Sequence, residues 1–407
     1  MVSSITWLDH DSKARDRSLR ILSLFQEKES RDELGLGGIR DSFADQLFPG
    51  TSTIQTRLRY MFFIPWIYQD LENKGIEARS FGLHADKAER DLIDVMKGSD
   101  ERLEGVFGGR SGRRLKRLPS SVYWAGLGSW GLRQIDLSRD QYHRNIDYIY
   151  QKRKESNRRS SQEIDSDSRV EDLISTWHAS IPSKPDSFPN DVDFTLSKDE
   201  ADYILERLQS NHPRSLLTFL ACNCEEADVD FPWMHPDLAE FSPDQRLLLK
   251  HAQLFSETLR GAAIIYNLSL SRIANREDRI EEHTNSFHEW REALDDKAVK
   301  EWPLTELWQL TLGKGHTITS RTQTFVSQWV QLVRTDLDRL ESHKDAAELV
   351  SNREIKLKKA RSRFKNKRTL DQWGGSSGTK QMNFRWPNVQ VFLRDLQKGS
   401  DRESNDA

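Results

Sequence analysis

Cysteine is nearly missing from this chain of 407 residues: there are two, Cys222 and Cys224, separated only by Asn223. With no other thiol to pair with, a disulfide framework is excluded, which fits a reducing compartment. Two thiols also fall short of the four ligands of a tetrahedral structural zinc, so neither a metal nor a cofactor is expected. Long apolar runs are lacking too. No segment approaches roughly 18 continuous apolar residues, and the opening Met1 to Trp7 meets Asp9, His10 and Asp11 before a stretch of signal-peptide length can form. The expectation is a soluble, cytoplasmic protein with no membrane partner. Strand signals are sparse and no fixed-period repeat is visible.

What is present is large side chains and charge. Twelve Trp and eighteen Phe can fill real cores, and the length suits two or three domains. Helical periodicity dominates, so the fold class is mainly α, a multi-helix protein of two domains with few strands. Asp11 or Ser12 caps a first helix to about Lys28, and Thr51 or Ser52 caps another through Ile54, Leu58, Phe62 and Trp66, kinked at Pro65. Others fall at 86–97, 120–130 and 137–152. The stretch 155–168 mixes Ser with both charges and reads as a linker, and 181–194 is loop-rich with Pro182, Pro185 and Pro189. Helices resume at 197–209. The strongest spans 242–273, where Gly261 to Tyr266 is apolar almost all round, as a central buried helix would be. Segments 301–311 and 319–340 follow. The domain reading is therefore an N-terminal helical domain 1–152, a linker and loop-rich segment 153–195, a helical domain 196–350, and a basic helix with a glycine-bearing C-terminal segment 351–407.

The net charge of −3 conceals segregation. Between residues 160 and 200 ten acidic residues face three basic ones, and between 221 and 245 there are seven acidic residues and no Lys or Arg. The opposite sign gathers at 353–368, with nine Lys/Arg against Glu354 alone, and at 108–117 with Arg110, Arg113, Arg114, Lys116 and Arg117. Such blocks lie in solvent and can meet polyanions or an oppositely charged surface. If 353–368 is one helix, Lys356, Lys359 and Arg363 share a face. Several cations on one side of a rigid element are what phosphate contact requires. The candidate nucleic-acid-binding residues are Arg110, Arg113, Arg114, Arg117, Lys356, Lys359, Arg361 and Arg363. Pairing of the same basic block with an acidic protein surface stays open.

Enzymatic motifs are weaker. Gly126-Leu127-Gly128-Ser129-Trp130-Gly131 has the dinucleotide pattern, but Ser120 to Ala125 before it could be a helix as easily as the required strand and no βαβ alternation follows, so it reads as a glycine-punctuated helix end with a nucleotide site as the alternative. Gly374 to Lys380 lacks the residue order of a phosphate loop and reads as a connector, with backbone contact to a phosphate as the alternative. Neither HExxH nor HxKxxxxD occurs. Arg-x4-His spacings at Arg79/His84, Arg207/His212 and Arg246/His251, with Arg276/His283 as a longer variant, are as frequent as chance provides. Glu354-Ile355-Lys356 is half of a nuclease-like pattern that needs a strand. Asp191 with Asp193, and Asp228 with Asp230, are solvated loop acids unless they chelate a divalent cation.

The run Gly38 to Arg57 (GIRDSFADQLFPGTSTIQTR), the opening Ile5 to Asp9, and Trp373 to Gly378 with Phe384-Arg385-Trp386 resemble a bacterial family of unknown function of about 400 residues. The landmarks sit at both ends, so the resemblance covers the chain. It brings no catalytic residue, and it implies an association with antiviral-defence or DNA-processing loci, with other proteins of the locus as partners. The functional expectation is a non-enzymatic accessory or sensor protein contacting DNA or RNA. The alternatives are a nuclease or nucleotide-dependent effector using His251 and Arg246 or the Gly126–Gly131 loop, and a structural subunit of a complex.

Overall fold

The computed structural model describes residues 32–98, 105–108, 115–162, 175–224 and 227–401. The first helix expected from sequence, at 11–28, lies outside them. Among the described residues there are fifteen α-helices and no strand, only an isolated antiparallel bridge between Arg133 and Trp177. In chain order they are α1 (Gly37–Leu47), α2 (Tyr60–Asn73), α3 (Ala78–Gly98), α4 (Pro119–Ser129), α5 (Arg139–Gln162), α6 (Lys198–Asn211), α7 (Leu216–Asn223), α8 (Pro243–Ile273), α9 (Glu277–Ala293), α10 (Asp296–Glu301), α11 (Leu304–Thr311), α12 (Ser320–Asp336), α13 (Lys344–Lys358), α14 (Lys367–Asp371) and α15 (Trp386–Ser400). The mainly α reading holds. No helix of the described residues is long and apolar enough to cross a membrane.

The chain folds as two compact units, neither of them a continuous stretch: Met1–Phe43 with Leu248–Phe384, and Ala44–Leu247 with Arg385–Ala407. The first unit is organised around α8. Its Ala262, Ile264, Ile265 and Tyr266 are buried, as their apolar run requires. Trp290 of α9 and Trp329 of α12 donate their indole N–H groups to the carbonyls of Glu257 and Thr258, at 2.7 and 2.9 Å. The Trp290 ring occupies the space a Cβ on Gly261 would need, since that atom would lie 2.3 Å from it. Glycine in mid-helix costs about 1 kcal/mol in propensity; here it admits an indole against the helix backbone.

The second unit is built on α2, which is buried along nearly its whole length. That helix begins at Tyr60, several residues later than the capping signals at Thr51 and Ser52 imply. The intervening backbone is held by tertiary partners instead: the amides of Thr56 and Arg57 donate to the Tyr123 hydroxyl, and that of Leu58 to Asp395. Pro65 sits inside the helix, as expected. Glu72, near the end of α2, is buried and accepts hydrogen bonds from Tyr142, Thr176 and Trp177 while pairing with Arg153. This one carboxylate fixes both α5 and residues 175–178 to α2. Ser197 and Glu200 form a reciprocal capping box at α6, and Glu200 also takes two hydrogen bonds from Arg59, each 3.0 Å. The expected linker overlaps α5, which runs to Gln162, and the rest of it lies outside the described residues.

Candidate nucleic-acid interface

The basic block is not one helix. α13 stops at Lys358, and Lys359 adopts φ 52°, a left-handed conformation that ends the helix. The cause is Glu354, fully buried within an otherwise basic run. Its carboxylate accepts hydrogen bonds from the Ser362 hydroxyl and from the amide of Arg363 (2.9 Å), pulling the following chain back onto the helix. A 3-10 turn covers Lys359–Arg361, and Asn366 then caps the short α14 through the amides of Arg368 and Thr369. Lys356, Lys359 and Arg363 therefore do not share a helical face. The Glu354-Ile355-Lys356 pattern is likewise accounted for, because its carboxylate is committed to this turn.

Three of the nine cations are structural. Arg353 is buried, with Nε donating to the Leu34 carbonyl at 2.8 Å, a guanidinium nitrogen donating to Thr322 Oγ1 at 2.8 Å, and the guanidinium lying over the Phe325 ring. Burial lowers its pKa. Lys358 and Arg363 converge on Glu33, the second at 2.7 Å, and Arg363 also donates to the Tyr266 hydroxyl at 2.9 Å. Burial pushes the Lys358 ammonium down to about 8, with Arg363 and Arg361 adding to the fall and Asp32 opposing it. Of the remainder, Arg361 is exposed and has an interaction of its own. Lys356, Lys359, Lys365, Lys367 and Arg368 are exposed, and among the described residues none has a carboxylate partner. Lys356 lies in the last turn of α13, where a cation also complements the helix dipole.

Neighbouring aromatics do not face solvent as stacking platforms. Phe364 is half-buried against Tyr266, edge to face at 5.7 Å, and Trp373 is buried with the Arg276 guanidinium over its ring. Of the other basic block, Arg110, Arg113 and Arg114 lie outside the described residues, while Arg117 is exposed and belongs to the second unit.

The glycine-bearing segment has a structural task. Its carbonyls at Trp373, Gly375, Ser377 and Thr379 accept hydrogen bonds from Arg276, His283, Asn267 and Arg260 in turn. Buried Asn267 holds both backbone polar groups of Ser377, accepting from its amide at 2.8 Å and donating to its carbonyl at 2.7 Å. Gly375 and Gly378 have φ of 93° and 69°, values that suit glycine. Gly126 and Gly128 lie inside α4 with no strand before them, and a Cβ on Gly126 would come within 2.5 Å of the Gly50 carbonyl oxygen. His251 is buried with both ring nitrogens engaged: Nδ1 accepts from the Trp302 indole at 3.0 Å, and Nε2 is left to donate to Glu306 at 2.9 Å. Arg246 donates to the Ala239 carbonyl. Asp193 accepts from Arg59 at 2.7 Å and from the Thr195 amide.

One grouping was not anticipated. Cys224, His235 and Asp237 of the second unit bring one potential ligand atom each to within 4.8 Å of one another. Burial pushes the Cys224 thiol up to about 12, with Asp237 and Glu240 adding to the rise, and burial lowers the pKa of His235. The signal available in sequence was a single His within the 221–245 stretch, which carries acids but no Lys or Arg.

A family model spans residues 2–400 of the chain. The chain belongs to DUF6361, a family of unknown function. No curated protein and no solved structure matches it. The DUF6361 description carries no activity, so a function for the chain has to come from its own geometry.

Proposed function

We propose that this DUF6361 protein is a non-enzymatic accessory or sensor protein that contacts the phosphate backbone of nucleic acid through the lysine-rich turn at 356–368. The observation that carries the reading is the division of labour among the nine cations. Arg353, Lys358 and Arg363 are tied to buried or carboxylate partners and make the turn rigid, while Lys356, Lys359, Lys365, Lys367 and Arg368 face solvent with no ion pair among the described residues. Five cations on a fixed scaffold suit contact with successive phosphates, each contact releasing counterions. With the nearby aromatics packed inward, binding through bases is disfavoured and duplex backbone is the better target. A setting in bacterial antiviral defence or DNA processing belongs to the same proposal and rests on the family resemblance.

The enzyme alternative has less support, since His251 has no free ring nitrogen and Gly126 packs against backbone. The test is titration of labelled duplex DNA and RNA with wild type and with a variant carrying Glu at Lys356, Lys359, Lys365 and Lys367. Loss of binding in the variant supports the proposal; equal binding by both, or capture of acidic proteins but no nucleic acid, overturns it.

A further inference from the structure

The second unit holds three side chains of mixed metal-ligand chemistry at one point. Cys224 follows the last residue of α7, and His235 lies between two short turns, Pro232–Met234 and Pro236–Glu240, each opened by a proline that fixes its backbone. The His235 side chain is 1% exposed, and its ring packs against Phe241 at 5.5 Å and Trp386 at 6.3 Å. Trp386 is itself held through its indole N–H to the Val229 carbonyl at 2.8 Å. The imidazole is thus rigidly placed. Asp237, two residues on, has a carboxylate oxygen 3.8 Å from His235 Nδ1 and is 37% exposed, so the cluster opens to solvent on its side.

We infer that Cys224, His235 and Asp237 form a zinc site with one coordination position left open. Zinc bonds of about 2.0–2.3 Å in a tetrahedral shell set donor atoms about 3.3–3.8 Å apart. The His235–Asp237 separation of 3.8 Å already meets that spacing, and the full set lies within 4.8 Å, so a contraction of about 1 Å completes it. Thiolate, imidazole and carboxylate together favour zinc over magnesium or calcium, which prefer all-oxygen shells. The long 3.2 Å hydrogen bond from the Asp237 amide to His235 Nδ1 is the contact the metal replaces. Charge agrees: among the described residues no lysine or arginine pairs with Asp237, and the surrounding 221–245 stretch contains neither residue type. Three protein ligands and a solvent-facing fourth position make an exchangeable site rather than a closed structural one.

Cobalt(II) reports on such a site because thiolate ligation produces a charge-transfer absorption. Metal-stripped protein titrated with Co(II), then with Zn(II) as competitor, is expected to bind one equivalent with that absorption, and zinc should displace it. Cys222→Ser should behave as wild type. Cys224→Ser should lose the absorption, and Asp237→Asn should weaken affinity by tenfold or more. Because His235 is packed in the core, His235→Gln is paired with circular dichroism, and the cysteine variants carry the argument if it fails to fold. Absence of the thiolate band in wild type, its persistence in Cys224→Ser, or its loss in Cys222→Ser would overturn the assignment.

Discussion

Arg363 and Glu33 lie 330 positions apart in the chain and meet at 2.7 Å, with side-chain exposures of 18% and 6%. Lys358 shares the same carboxylate. An arginine that belongs by sequence to the basic block is therefore part of the internal frame that shapes it. Removing one partner of a largely buried pair leaves uncompensated charge. Glu33→Gln, which strands two cations, is expected to cost about 2–3 kcal/mol, somewhat below the range for fully buried pairs. Urea unfolding checks this, and an unchanged midpoint would show that the pairing contributes nothing.

Asn267 is expected to matter for the glycine-bearing segment alone. Asn267→Ala removes both hydrogen bonds to the backbone of Ser377, which should cost about 2–4 kcal/mol with its amide and carbonyl left unpaired. Amide hydrogen exchange should accelerate across 373–380 first. Uniform loss of protection throughout the first unit would instead mean that Asn267 holds up α8.

The starts of α6 and α12 and the central helix are legible because their determinants are local. Ser197 and Thr319 cap the helices they precede, and the apolar run at 261–266 is buried as it reads. The basic block was misread as a single helix because its break depends on Glu354 turning back to Ser362, and its internal pairing depends on Glu33 far away in sequence. Periodicity sees neither. The start of α2 was misplaced for the same reason, since Asp395 and Tyr123 take the amides that a cap would otherwise serve. Cys224, His235 and Asp237 have no motif spacing, and they meet through the end of α7 and the two proline-opened turns.

Stability in mild acid should be shaped by two buried groups with opposite slopes. Glu89 is buried, accepts the Ser120 amide at 2.7 Å, and has one oxygen without a hydrogen-bond partner; burial raises its pKa from 4.5 to about 7. The folded state then keeps a proton that the unfolded state releases, so this group makes stability fall as pH climbs from about 4.5 to about 7. His143, hydrogen-bonded to the Tyr68 hydroxyl at 2.9 Å, is lowered by burial from 6.5 to about 4. Its unfolded form protonates first on acidification, so it makes stability fall as pH drops from about 6.5 to about 4. Each is worth about 3 kcal/mol, and they oppose over the same window. Glu89→Gln should unmask the histidine: urea midpoints should rise from pH 4 to pH 6.5 more steeply than in wild type. A variant profile parallel to wild type would contradict this.

Gly126 gives a simpler test of the dinucleotide pattern. Gly126→Ala places a methyl 2.5 Å from the Gly50 carbonyl oxygen and is expected to destabilise by about 1–3 kcal/mol. Wild type should show no thermal shift with NAD or NADP. A shift that Gly126→Ala abolishes would restore the nucleotide reading.

If the five exposed cations at 356–368 that have no ion pair among the described residues contact phosphate, as proposed, binding should depend steeply on salt. Five contacts imply a slope of log affinity against log salt of about −4.5 for duplex DNA, a loss of several hundred-fold between about 50 and 200 mM. Reversing Lys356, Lys359, Lys365 and Lys367 to Glu should abolish binding, whereas the exposed Lys314→Glu should leave it nearly unchanged. Salt-independent binding, or equal affinity in the fourfold variant, would contradict the account.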